Sequence, residues 1–222
     1  MIRSRLRDLI RKRLGETTAS FWSADELNDW INDAGHEIAY RTKCIKANGK
    51  LTTVASTSEY TLSGTFPNAI AVLEVYHYLD GTTWVRLAKT DRDTLSRDQR
   101  GWKSAEASVP YKYYYSEEED TLGLYPKPNS GNAGTSYMEV YYANDFSDMT
   151  IDADSPTYFN HELQLAMIDF VVATGYETRG WGDKANDAWS KYNGRLEGYM
   201  QERSLEDEDD DDYSSARNYK KA

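Results

Sequence analysis

The sequence predicts an α+β protein. A four-helix bundle is built from N- and C-terminal helix pairs, an antiparallel β module is inserted between the pairs, and an acidic C-terminal tail follows. Three observations carry this. Apolar residues recur at helical spacing over 2–14, 21–42 and 155–203, which sets them on one stripe of each helix. Between these segments lie short runs of Tyr, Val, Ile and Thr separated by turn residues, the pattern of strands. Past residue 203 no hydrophobic period remains, and residues 206–212 read EDEDDDD.

The first helix is expected over 2–14. Ile2, Leu6, Leu9, Ile10 and Leu14 form its apolar face, Arg3, Arg7 and Arg11 stand on its polar face, and Gly15 supplies a C-terminal stop. The second helix lies within 21–42. Ser23 and Glu26 fit a capping box, and Trp22 and Leu27 can close a hydrophobic staple. Leu27, Trp30, Ile31, Ala34 and Ile38 follow as its buried stripe, with Asn28, Asp29, Asn32, Asp33 and Glu37 on the other side.

From Lys43 the helical period fades. Residues 48–66 are rich in Gly, Ser and Thr, with β-favouring residues at Tyr60, Thr61 and Leu62. Ile70 to Leu79 predicts a strand, Asp80-Gly81 a turn, and Thr82 to Ala88 the returning strand. Residues 91–100 read as a short helix or a polar excursion. Pro110 introduces an aromatic strand over 111–116, Glu117 to Asp120 form an acidic turn, and 121–126 return. A loop rich in Gly, Asn and Pro spans 127–135, and 137–143 is the next strand. The middle of the chain therefore holds at least five short strands, expected to be antiparallel.

Helical signals resume at Ser155-Pro156, an N-cap followed by Pro at the first helical position. Phe159, Leu163, Ala166, Met167, Phe170 and Val171 mark one face, and Gly175, Gly180 and Gly182 surround the break. The last helix is expected from about Asp183 to Arg203, with Ala185, Ala188, Trp189, Tyr192, Leu196 and Tyr199 on its stripe. Neither helix pair covers its apolar faces alone, so the pairs are expected to pack on each other. The resulting division is 1–47 with 150–203 as the bundle, 48–149 as the β module, and 204–222 as a tail that is extended or orders only on binding.

The net charge of −11 over 222 residues excludes generic wrapping of DNA phosphates, which needs a surplus of Lys and Arg. The charge is uneven. Residues 1–14 hold six basic groups against one Asp, and 206–212 are wholly acidic. This leaves two readings of Arg3, Arg7 and Arg11: solvated groups on a surface helix, or groups that pair with acidic residues of a neighbouring subunit. Tyr213, Arg217, Tyr219, Lys220 and Lys221 are groups that anchor a tail on a partner. Tyr is over-used, at 18 residues, which suits half-buried strands and interfaces. Cys44 is the lone cysteine, so no disulfide within the chain and no cysteine-based zinc site is expected. Neither a signal peptide nor a membrane-spanning run is read from the sequence.

Candidate chemistry fails on missing partners. His161-Glu162 begins like a zinc-protease motif, but position 165 is Leu, so the second ligand is absent. Asp152 and Asp154 begin like a calcium loop, but Pro156 follows and the terminal Glu is missing. No phosphate-binding loop and no nucleophile elbow occurs. Cys44, between Lys43 and Lys46, lacks a base. No catalytic residue, metal ligand or cofactor is expected.

Several segments together carry a resemblance. A basic first helix precedes FWSADELNDWINDAGHEIAYRT. TLGLYPKP and YMEVYYANDFSDM follow in the β region, then SPTYFNHELQLAMIDFVVATGY and DKANDAWSKYNGRLEGYMQER. Over residues 2–203 the chain resembles the head-to-tail adaptor (connector) proteins of tailed bacteriophages. The departures are a longer, Tyr-rich middle and an acidic tail that does not match. The resemblance implies a structural virion protein, not an enzyme, at the neck of a particle assembled in the host cytoplasm. It implies a homo-oligomeric ring, typically dodecameric, below the portal protein. Such a ring extends the DNA channel, passes genomic DNA without sequence-specific binding, and presents a surface to a tail or nozzle protein. It implies portal contact for 204–222, through Leu205, Tyr213, Arg217, Tyr219 and Lys220. Arg3, Arg7 and Arg11 would then make the head-to-tail contacts that close the ring.

Two other functions remain open on sequence. A carbohydrate- or receptor-binding β module would display Tyr113, Tyr115, Tyr125 and Tyr141 as a flat exposed row. A hydrolase would join His161 with Cys44 or a carboxylate pair in one pocket.

Overall fold

In a computed structural model, residues 1–16, 21–78, 83–105 and 107–218 are described. Among these residues the helices are, in chain order, α1 (Arg3–Leu14), α2 (Ala24–Thr42), α3 (Arg92–Asp98), α4 (His161–Thr178) and α5 (Gly182–Asn218), and eight strands lie between α2 and α4. The chain forms two compact units, one of Met1–Cys44 with Phe146–Ala222 and one of Ile45–Asp145.

In the helical unit, α1 ends as expected. Gly15 adopts φ +79, and the N–H groups of Gly15 and Glu16 return to the carbonyls of Lys12 and Arg11. No side chain caps its start. The N–H groups of Arg3 and Ser4 instead donate to the carbonyls of Asp154 (2.7 Å) and Asp152 (3.2 Å), which satisfies donors a helix leaves open. Both arms of the Ser23–Glu26 capping box are present on α2. Leu27, Ile31, Ala34 and Ile38 are completely buried, and Trp22 is 1% exposed. Trp30 departs from the expected core and is half-buried. At about 100° per residue it sits roughly 70° from the centre of that stripe. Gly35 is required by close approach: a Cβ there would lie 2.4 Å from the Phe146 ring.

The helix expected to start at Ser155-Pro156 begins later. Asn160 is the N-cap of α4 and accepts from the Leu163 N–H at 2.9 Å. Ser155 and Pro156 form a turn ahead of it, with Thr157 N–H on Ser155 O and Phe159 N–H on Pro156 O. Phe159 is thereby buried and stacked on Phe146 at 5.3 Å. Packed against α1, α2 and α5, α4 buries Leu163, Ala166, Met167, Ile168, Val171, Val172 and Ala173. A helix covered on several sides needs apolar residues nearly all round. α5 does not stop near Arg203 but runs to Asn218, through the segment expected to be extended or to order only on binding. No Gly or Pro lies between Gly198 and Asn218 to break it.

The second unit is a pair of four-stranded sheets. The first has the order β1 (Lys46–Thr53), β8 (Gly134–Asn144), β3 (Ala69–Tyr78), β4 (Trp84–Arg86). The second has β2 (Glu59–Thr61), β7 (Thr121–Tyr125), β6 (Lys112–Ser116), β5 (Ala88–Lys89). Their shared core includes Leu51, Val72, Val75, Met138 and Val140 from the first, and Tyr113, Leu122 and Leu124 from the second. The strand expected over 82–88 is divided between the sheets. β4 pairs with β3, and the Leu87 N–H donates to Val75 O at 2.8 Å. The Ala88 N–H turns to Tyr111 O at 3.0 Å, and β5 runs parallel to β6, an exception to the antiparallel expectation. Buried Leu87 is the crossing point. The Asp80-Gly81 turn lies outside the described residues. β1 has no clear sequence signal, because only Leu51 and Thr53 of its eight residues are buried.

Alternation on β6 sends neighbouring tyrosines to opposite faces. Tyr113 enters the core between the sheets. Tyr114 joins Leu95, Trp102 and Tyr125 in a second cluster that also takes in α3. Its ring lies over Gly123, where a Cβ would come within 2.0 Å of it. Replacing Trp22 by Ala should cost about 3–5 kcal/mol in urea unfolding, as for other buried aromatics. Trp30→Ala should cost clearly less, because its side chain already reaches solvent.

Candidate functional site

Arg3, Arg7 and Arg11 of α1 each find carboxylates or carbonyls of their own chain. Arg3 is buried and donates to Met149 O (2.5 Å) and Thr150 O (2.9 Å). Arg7 makes two bonds to the Asp152 carboxylate, at 2.9 and 3.0 Å, and one to Asn28 at 3.0 Å. Arg11 donates to Glu16 at 2.9 Å and to Trp22 O at 3.1 Å. The structure thus supplies, within one chain, the charge expected from a neighbour. Arg7 holds the Asp152 carboxyl below the usual aspartate range, chiefly by hydrogen bonding.

Sequence reasoning missed Asp169, a residue only 2% exposed in the apolar α4. Arg13 of α1 donates to one of its oxygens, and Arg195 of α5 donates to the other at 2.9 Å. Arg195 also reaches Glu162 at 2.5 Å. A lone Asp in the run LQLAMIDFVVA was the available signal, since buried carboxylates demand cationic partners. Beside it, a cleft of about 350 Å³ between α4 and α5 is lined by Glu162, Lys191, Arg195, Tyr199, Glu202 and two glycines. Neither His161 nor Cys44 lines it.

A second charged cluster lies in the β unit. Arg92 of α3 donates to Glu119 (2.7 Å) and Glu59 (3.1 Å), and the Tyr114 hydroxyl also donates to Glu59. Burial pushes the Tyr114 hydroxyl well up, and its bond draws Glu59 down. These bonds tie α3 to the second sheet.

The remaining candidates fall apart in space. Tyr113 and Tyr125 are buried at 2% and 8% exposure, Tyr115 is half-buried, and Tyr141 is 39% exposed. Tyr141 meets Tyr76 edge-on, with an interplanar angle of 63°, and Tyr78 meets Trp84 at 62°. Rings tilted against each other make no flat platform for a sugar face. Burial raises the Cys44 thiol, opposite to the activation a nucleophile needs. His36 pairs with Asp148 at 2.9 Å, and burial lowers the His77 imidazole. Among the described residues, no cluster of His, Cys, Asp and Glu is arranged to hold a metal ion.

Of the tail residues, Leu205, Tyr213 and Arg217 fall on the backbone of α5. Tyr219 and Lys220 lie outside the described residues.

The profile of the SU10 adaptor proteins matches residues 2–219. The chain belongs to the SU10 adaptor protein family. This is a family of phage head–tail adaptors, and membership implies a structural protein of the virion that meets portal and tail proteins. No curated protein matches the chain. Among the described residues, no helix of this adaptor is long and apolar enough to cross a membrane.

Asp169→Ala should destabilise the adaptor by about 2–3 kcal/mol in chemical denaturation. That is below the usual cost of orphaning a buried charge, because Arg13 and Arg195 can turn to solvent. The depressed Asp152 value sets a pH dependence. Its tie to Arg7 is complete above the ordinary aspartate pKa and is lost as pH falls through the lower folded value. Thermal unfolding temperatures should therefore drop on acidification below about pH 4, and less steeply for Asp152→Asn.

Proposed function

We propose that this adaptor closes into a ring beneath the portal, extends the DNA channel, and offers its far side to the tail or nozzle protein. The match over 2–219 carries this reading. The packing of α4 against α1, α2 and α5 supports a four-helix bundle as the ring body. The net charge of −11 suits a lumen through which DNA slides, since binding by counterion release would hold it back. A dodecamer is the ring proposed, matching the family pattern. Residues 204–222 dock on the portal, with Leu205, Tyr213, Arg217, Tyr219 and Lys220 as contacts. Arg3, Arg7 and Arg11 serve the subunit interface by holding α1 and the 149–154 segment in shape, because their charges are engaged within the chain. The location is the neck of the virion.

Mass photometry of the purified chain with its portal should show one ring per portal. Removing residues 204–222 should leave the helical circular dichroism of the remaining chain intact and weaken the complex at least tenfold. A full-length chain that forms no complex, with normal particle assembly after gene deletion, would sink the adaptor reading. Normal docking by the truncated chain would refute only the tail assignment.

A further inference from the structure

We draw no further inference here: the strongest candidate, the row of exposed carboxylates Asp25, Asp29 and Asp33 along α2, is an acidic surface cluster, and nothing in the structure shows what covers it.

Discussion

The carboxylate of Asp169 lies inside the helical unit, on the helix that others surround. Stripping water from such a group costs several kcal/mol unless cations replace it. Arg13 and Arg195 do so, from α1 on one side and α5 on the other. α4 can therefore be enclosed only where those two side chains reach it. This sets which part of α1 and which turn of α5 lie against α4. Apolar stripes alone tolerate sliding and rotation of one helix on another, whereas a fork of directed bonds does not.

The same economy governs the rest of α1. Arg3, Arg7 and Arg11 bind Asp152, Glu16 and the carbonyls of 149–150, and its first N–H groups take the carbonyls of Asp152 and Asp154. The basic start of the chain is thus a clamp on the segment that leads into α4. Once those charges are engaged, the groups left for partners are the exposed aromatics and the charges that stand clear of the internal pairs. In the β unit, Arg92, Glu59 and Tyr114 play the corresponding part, tying α3 to the second sheet.

Much of the architecture was legible because its causes are local. The Ser23–Glu26 box, the Gly15 stop and the alternation through YKYYYS each depend on a few neighbouring residues. The misses have a common origin. Ser155-Pro156 is as good a helix start as Asn160 by chain-local criteria, and burial of Phe159 against Phe146 favours the later one. The division of 84–89 between two sheets rests on Val75 on one side and Tyr111 on the other. β1 was hidden because an edge strand with a mostly exposed surface carries little apolar pattern. In the candidate interaction surfaces, the basic face of α1 was visible, but Asp169 was passed over as one polar residue in an apolar helix.

Sequence alone determined the helix caps, the apolar stripes, the aromatic strands, the acidic run and the absence of a complete catalytic motif, since each is encoded by spacing over a few residues. Tertiary structure decided who pairs with whom. Arg3, Arg7, Arg11 and Arg13 look alike along the chain, and only folding shows that within it they meet Asp152, Glu16 and Asp169. It also decided which aromatics remain outside, burying Trp22 and Tyr113 and leaving Phe21, Tyr158 and Trp181 in solvent. The physical reason is the same in both cases. Pairing of charges and burial of rings depend on groups brought together from distant parts of the chain, and spacing along the sequence does not record those distances.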